Sequence, residues 1–168
     1  YSPYGVMKRV GELYTKSLGG LIVKFWNVYG IEKDMEKAHV ITDFIRKGFE
    51  TGVIDMMTDG TEAREFLYAE DCCEALESVM ENYDQLTSND ELHITTGSHT
   101  TILEVARIIQ RLFSNIEKDV VIQPAESKDE VQKDARNIPD PYIKKFWRSK
   151  TSLKGGITKV FEEMKKDY

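Results

Sequence analysis

Residues 2–30 read SPYGVMKRVGELYTKSLGGLIVKFWNVYG, and the join inside this stretch decides the class of fold. Residues 4–18 carry Val6, Val10, Leu13 and Leu18 in a rough helical stripe, and Gly19-Gly20 ends the pattern. Residues 21–26, Leu-Ile-Val-Lys-Phe-Trp, are short, mostly apolar and rich in β-formers, which reads as a buried strand. Asn27 to Gly30 reads as the turn that follows. A helix feeding directly into a buried strand predicts an α/β layered fold.

The same alternation runs on from there. Helices are expected at residues 39–49, 70–83, 142–147 and 151–166, and strands at 53–57, 65–68, 91–95 and 120–123. Another helix runs from Thr100 or Thr101 to about Phe113, since Glu104 lies three residues after Thr101 as a capping box requires. Residues 31–37, 82–90 and 127–140 read as polar loops.

With 168 residues, the chain is the size of one ordinary domain and long enough for a real core. Hydrophobic residues make up 40% and charged ones 31%, the balance of a folded globular protein rather than a disordered one. A net charge of −6 argues against non-specific nucleic-acid binding, which needs clustered positive charge, although local arginines can still hold a negative substrate. No run approaches the roughly 18 apolar residues of a membrane span, and the first residues show no leader pattern. Cys72 and Cys73 are adjacent, so they are expected as free, buried thiols suited to a reducing cytoplasm. His39, His93 and His99 lack metal-ligand spacing; no metal site is expected, and all three read as ordinary surface or core residues.

Tyr4 and Lys8 carry the first chemical signal. Four residues apart on a helix, they share one face, one turn apart. A neighbouring ammonium favours the phenolate form of a tyrosine, which can then take a proton from an alcohol while hydride leaves the same carbon. A lysine also offers three donors to the hydroxyls of a ribose. Spacing alone is weak, because Tyr29 and Lys33 repeat it. The company of the first pair gives it weight. Ser2-Pro3-Tyr4-Gly5-x-x-Lys8 is followed by Lys24-Phe25-Trp26-Asn27-Val28-Tyr29-Gly30. Then come Asp59-Gly60-Thr61-x-x-Arg64-Glu65-Phe66-x-Tyr68-x-x-Asp71, Thr95-Thr96-Gly97 and Lys150-Thr151-Ser152-Leu153.

In that order and register, these motifs resemble the extended short-chain dehydrogenases of the NAD-dependent epimerase/dehydratase type, which act on nucleotide-sugars, and the resemblance spans essentially the whole chain. It implies the C-terminal part of a Rossmann-type NAD(P)-binding fold plus a small α/β substrate-binding domain. Residues 1–30 would be the tail of the Rossmann domain and 31–168 the nucleotide-sugar domain, with 66–83 returning to the Rossmann side. Tyr4 matches the catalytic tyrosine, and Lys8 the lysine that tunes it and binds the cofactor ribose. Phe25 and Trp26 fall where a strand ends beside the nicotinamide. Asn27 and Arg64 match residues that hold the sugar diphosphate, and Arg136 is a candidate second arginine there. A guanidinium suits phosphate because its planar fork donates two charge-assisted hydrogen bonds.

The departures from the family pattern are Met7 for serine, Lys24 for arginine, Ile31 for proline and Glu65 for aspartate. Phe146-Trp147-Arg148-Ser149 also stands where Leu-Gly-Trp-x-Pro is usual. The glycine-rich phosphate turn of a dinucleotide site has no counterpart here, so the N-terminal βαβ units are expected to be absent. The implied activity is transient oxidation of a nucleotide-diphosphate sugar by NAD or NADP, with Tyr4 as acid/base. A cytoplasmic homodimer is implied for the complete protein. Two other readings stay open: a catalytically incompetent module that needs a separate Rossmann half, and a carbonyl reductase of a non-sugar substrate.

Overall fold

The computed structural model describes residues 2–87, 91–129 and 139–168. In chain order the main elements are α1 (Pro3–Ser17), β1 (Val23–Phe25), β2 (Asn27–Tyr29), α2 (Val40–Glu50), β3 (Val53–Asp55) and β4 (Ala63–Tyr68). They continue with α3 (Ala69–Glu81), α4 (Tyr83–Leu86), β5 (Leu92–Ile94), β6 (His99–Thr101), α5 (Ile102–Ser114), β7 (Val121–Gln123) and α6 (Leu153–Met164). The class is the expected one, a mixed α/β fold with parallel strand pairs.

Helix α1 starts where local chemistry favours it. Ser2 is extended and its hydroxyl accepts from the Gly5 N–H at 3.1 Å, while Pro3 takes the first helical position. Its apolar stripe, however, is exposed among the described residues. No residue of α1 is buried, and Val6, Val10, Leu13 and Leu18 all face outward. An ionic tether joins it to the sheet: Glu12 lies 3.4 Å from the Lys24 ammonium, which also pairs with Glu91 at 2.5 Å.

The stretch after α1 departs from the sequence reading. The expected single strand and turn are two short strands that serve different sheets. β1 pairs in parallel with β5; the chain then passes Trp26 and continues as β2, parallel to β4 with Asn27 opposite Phe66. Residues 27–29 are therefore strand, because β4 supplies a ladder that local turn propensity does not reveal. β6 pairs antiparallel with β4, placing His99 in a strand, and β3 pairs in parallel with β7.

Two apolar clusters hold these layers together. In the first, Ile41, Phe44 and Ile45 of α2 and Val105, Ile109 and Phe113 of α5 pack with Ile157, Val160 and Phe161 of α6. The spacing of each set puts it on one helix face. α2 lies close to α5 because residue 48 is glycine: a Cβ there would overlap the ring of Phe113. The second cluster joins Leu67, Ala75, Leu86, Leu92, Ile94 and Ile143. Each fully buried Leu, Ile or Phe contributes about 1.5–3 kcal/mol relative to exposure.

Three further expectations are corrected. Residues 82–90 contain α4, which buries Leu86 completely, so that part of the expected linker is packed structure. The expected helix at 142–147 is a 3₁₀ turn at Pro141–Lys145, capped by Asp140, whose carboxylate accepts from the Tyr142 N–H at 2.8 Å. Of the two free cysteines only Cys72 is buried; Cys73 faces outward. Among the described residues no helix is long and apolar enough to cross a membrane.

Candidate functional site

A cavity of about 580 Å³ opens beside β2, β4 and the first turns of α2, and its walls include both Asn27 and Arg64. The parallel register of β2 on β4 brings these two residues together from distant points in the chain. The Asn27 amide donates to the Glu65 carbonyl at 2.9 Å, so its orientation is fixed by the neighbouring strand. Arg64 is mostly buried; Nη1 donates to the Ala63 carbonyl at 3.1 Å, and Nη2 donates to the Asp129 carboxylate across the cavity wall.

The next residue on β4 anchors the opposite side. Glu65 is buried, and its carboxylate accepts from the Thr95 hydroxyl and, at 3.1 Å, from the Gly97 N–H. It thereby pins the turn between β5 and β6. Gly97 has φ +74°, a left-handed conformation that suits glycine. Trp26 stands between two imidazoles, with ring centroids 6.1 Å from His93 and 6.3 Å from His99.

On α2, His39 occupies the N-cap position. Its own N–H donates to Glu32 at 2.9 Å, and its Nδ1 contacts the other Glu32 oxygen. Burial would raise the Glu32 carboxyl, but the contacts with His39 and Thr42 hold it below the ordinary value. About two turns further along α2, Lys47 is 2.9 Å from Asp43 and 3.1 Å from Asp55. Tyr29 also borders the cavity. Burial pushes its phenol well above the usual range, and the hydroxyl donates to the Leu153 carbonyl at 3.3 Å. Tyr29 is thus a neutral core residue, and its sequence pairing with Lys33 is not a second acid/base pair.

Tyr4 and Lys8 share one face of α1 as their spacing predicts, with the Lys8 ammonium 5.4 Å from the centroid of the Tyr4 ring. Both, with Phe25 and Trp26, stand outside the walls of the cavity. Phe25 is half-exposed at the C-terminal end of β1. Arg136 lies outside the described residues. The structure therefore brings Asn27 and Arg64 together and leaves the Tyr4–Lys8 pair on a helix of its own. The sequence reading passed over Asp129, Lys47 and Asp55 and took His39 as an ordinary residue; all four line the cavity. Asp129 had one available signal, its place in the polar loop leading to Arg136.

Comparison with known proteins gives a consistent family. Residues 1–95 match the model of the NAD dependent epimerase/dehydratase family. The GDP-L-fucose synthase of Sinorhizobium fredii is 28% identical over 95% of this chain and 53% of its own length. Among solved structures, the epimerase Mth375 of Methanothermobacter thermautotrophicus superposes with a TM-score of 0.82 at 19% identity, over 99% of this chain and 51% of that one. MoeE5 in complex with UDP-glucose and NAD superposes at 0.76 and 20% identity, over 99% of this chain and 56% of that one. The chain thus spans about half the length of the relatives it matches.

Proposed function

Since the chain belongs to the NAD-dependent epimerase/dehydratase family, we propose that its complete enzyme transiently oxidises the sugar of a nucleotide-diphosphate sugar and then re-reduces or dehydrates it. The observation that carries this reading is the convergence of Asn27 and Arg64 on one cavity large enough for part of such a substrate. Arg64 supplies a guanidinium fork and Asn27 an oriented amide, the donor chemistry a diphosphate needs. Arg136 is proposed as a second cation for the same group. Anchoring the diphosphate holds the sugar in a fixed pose, which lowers the entropic cost of reaction at a distant carbon.

The residues present fit the nicotinamide end of NAD or NADP. Lys8 presents its ammonium beside Tyr4 on an exposed helix face, and Phe25 and Trp26 lie at the C-terminal end of a parallel strand, where doubly wound sheets take ligands. Lys8 would hold the ribose, and Phe25 and Trp26 would flank the ring. When bound, the dinucleotide supplies reversible hydride acceptance. Tyr4 would take the proton of the sugar hydroxyl as that carbon is oxidised and would return it to the oxygen on re-reduction.

The second apolar cluster, with β1, β5 and α3, is proposed as the part of this chain that continues the cofactor sheet. The exposed stripe of α1 is proposed as a homodimer contact in the complete protein. In the complete enzyme, Arg64→Ala is expected to weaken nucleotide-sugar binding by roughly ten- to a hundredfold, the worth of a charge-assisted hydrogen bond pair. Unchanged activity on substrate would instead point to reduction of a non-sugar carbonyl.

A further inference from the structure

We infer that Asp129 is a built-in competitor for the anion site that Arg64 presents, so that a ligand's diphosphate must displace a carboxylate of the protein itself. This rests on the reading of Arg64 as a diphosphate ligand and adds how access to that site is controlled.

Two observations support it. The Arg64 Nη2 group, the arm not taken by the Ala63 carbonyl, is held by Asp129, which comes from 65 residues further along the chain and lines the same cavity. Both side chains are only 16% exposed, so the pair is largely removed from water. Among the described residues, the other lysine or arginine in the cavity wall is Lys47, likewise met by Asp43 and Asp55. Among these same residues Lys47 and Arg64 stand with Asp43, Asp55, Glu62 and Asp129, more negative than positive side chains. His39, the remaining basic group there, is engaged by Glu32.

A diphosphate approaching this wall meets like charge until Asp129 gives up Nη2. The contact it then makes replaces one carboxylate–guanidinium pair with another anion–guanidinium pair. The net gain from the charges is small, because the new pair replaces the attraction of the Arg64–Asp129 pair that must break. Simple anions gain little from such an exchange. A ligand that also fills the apolar part of the cavity, near Phe44, Met56 and Phe66, gains enough to drive it. Asp129 thus sets an affinity threshold common to all anions, which a nucleoside diphosphate passes through its added apolar contacts and a bare phosphate compound does not.

The test is calorimetric titration of the 168-residue chain with inorganic pyrophosphate, and in parallel with UDP and GDP. The proteins are the wild type, Asp129→Asn, Asp129→Glu, Arg64→Ala and the Arg64→Ala/Asp129→Asn double variant, each checked by thermal unfolding. Asp129→Asn is expected to bind pyrophosphate roughly tenfold tighter than wild type, in the range measured for single close charge pairs at interfaces. Asp129→Glu should stay near wild type, and the double variant should lose the gain. In the wild type, the side-chain NMR resonances of Arg64 should shift when UDP is added, as its partner changes. If binding requires Arg64 but Asp129→Asn leaves it unchanged or weaker, Asp129 positions the arginine and the inference is overturned. If Arg64→Ala binds UDP and GDP as well as wild type, or no protein binds any of the three probes, the reading of Arg64 itself fails, and the inference with it.

Discussion

Asp71 ties α3 to the start of α6. Its carboxylate accepts from the Ser149 hydroxyl at 2.6 Å, the Lys150 N–H at 3.1 Å, the Thr151 N–H at 2.9 Å and the Thr151 hydroxyl at 2.9 Å. Burial alone would raise its pKa; these hydrogen bonds outweigh burial and hold it below the ordinary carboxyl value. A carboxyl that keeps its charge to lower pH when folded stabilises the fold fully above its unfolded value, about pH 4. That contribution is lost as pH falls through the lower folded value. Asp71→Asn should therefore lower the melting temperature at neutral pH and flatten the acid limb of a stability–pH profile. Asp71→Ala, which strands several donors, should cost about 2–4 kcal/mol by chemical denaturation. At the chemical end of the chain, Tyr4→Phe in the complete enzyme should lower kcat by roughly 10²–10⁴-fold, the usual worth of a positioned acid/base. Substrate affinity, read by calorimetry, should stay nearly unchanged.

Between elements, close approach sets the limits. A glycine in mid-helix normally costs about 1 kcal/mol relative to alanine, so Gly48→Ala would stabilise α2 if the site were open. Because the new Cβ would collide with the Phe113 ring, the expected result is the reverse, a loss of about 1–3 kcal/mol in urea unfolding. The α5 capping box is complete in both directions, with the Glu104 N–H donating to Thr101 Oγ1 and the Thr101 N–H donating to Glu104. Thr101→Ala should accordingly cost about 1 kcal/mol. These helices could be read from the sequence, since the apolar spacing of both and the capping box of α5 are local signals. β2 and β6 could not. Each is three residues long, and each exists because β4 lies alongside it. A turn signal such as Asn27 to Gly30 yields to a ladder whose other side is found only after folding. The same reasoning separates the residues of the cavity. Asn27 and Arg64 could be read because they sit inside motifs that keep a fixed register along the chain. Lys47, Asp55 and Asp129 sit in no such motif, and only packing makes them neighbours.

For the molecule as a whole, the chain covers about half the length of its relatives and carries no glycine-rich phosphate turn in its sequence. Titrating it with NAD and with UDP- and GDP-sugars should show nucleotide-sugar binding with little or no NAD binding, and assays of the chain alone should show little turnover. Tight NAD binding would mean that the dinucleotide site is completed some other way. The exposed stripe of α1 bears on this beyond binding. Fifteen residues are marginal for a free helix in water, and among the described residues none in this helix is fully buried. The Tyr4–Lys8 pair rides on that helix. With Tyr4 as the acid/base and the stripe as the dimer contact, both as proposed above, activity would be linked to assembly by mass action. Catalytic competence and complementation by a covering partner should rise along one shared saturation curve, and backbone amide protection in α1 should trace the same curve.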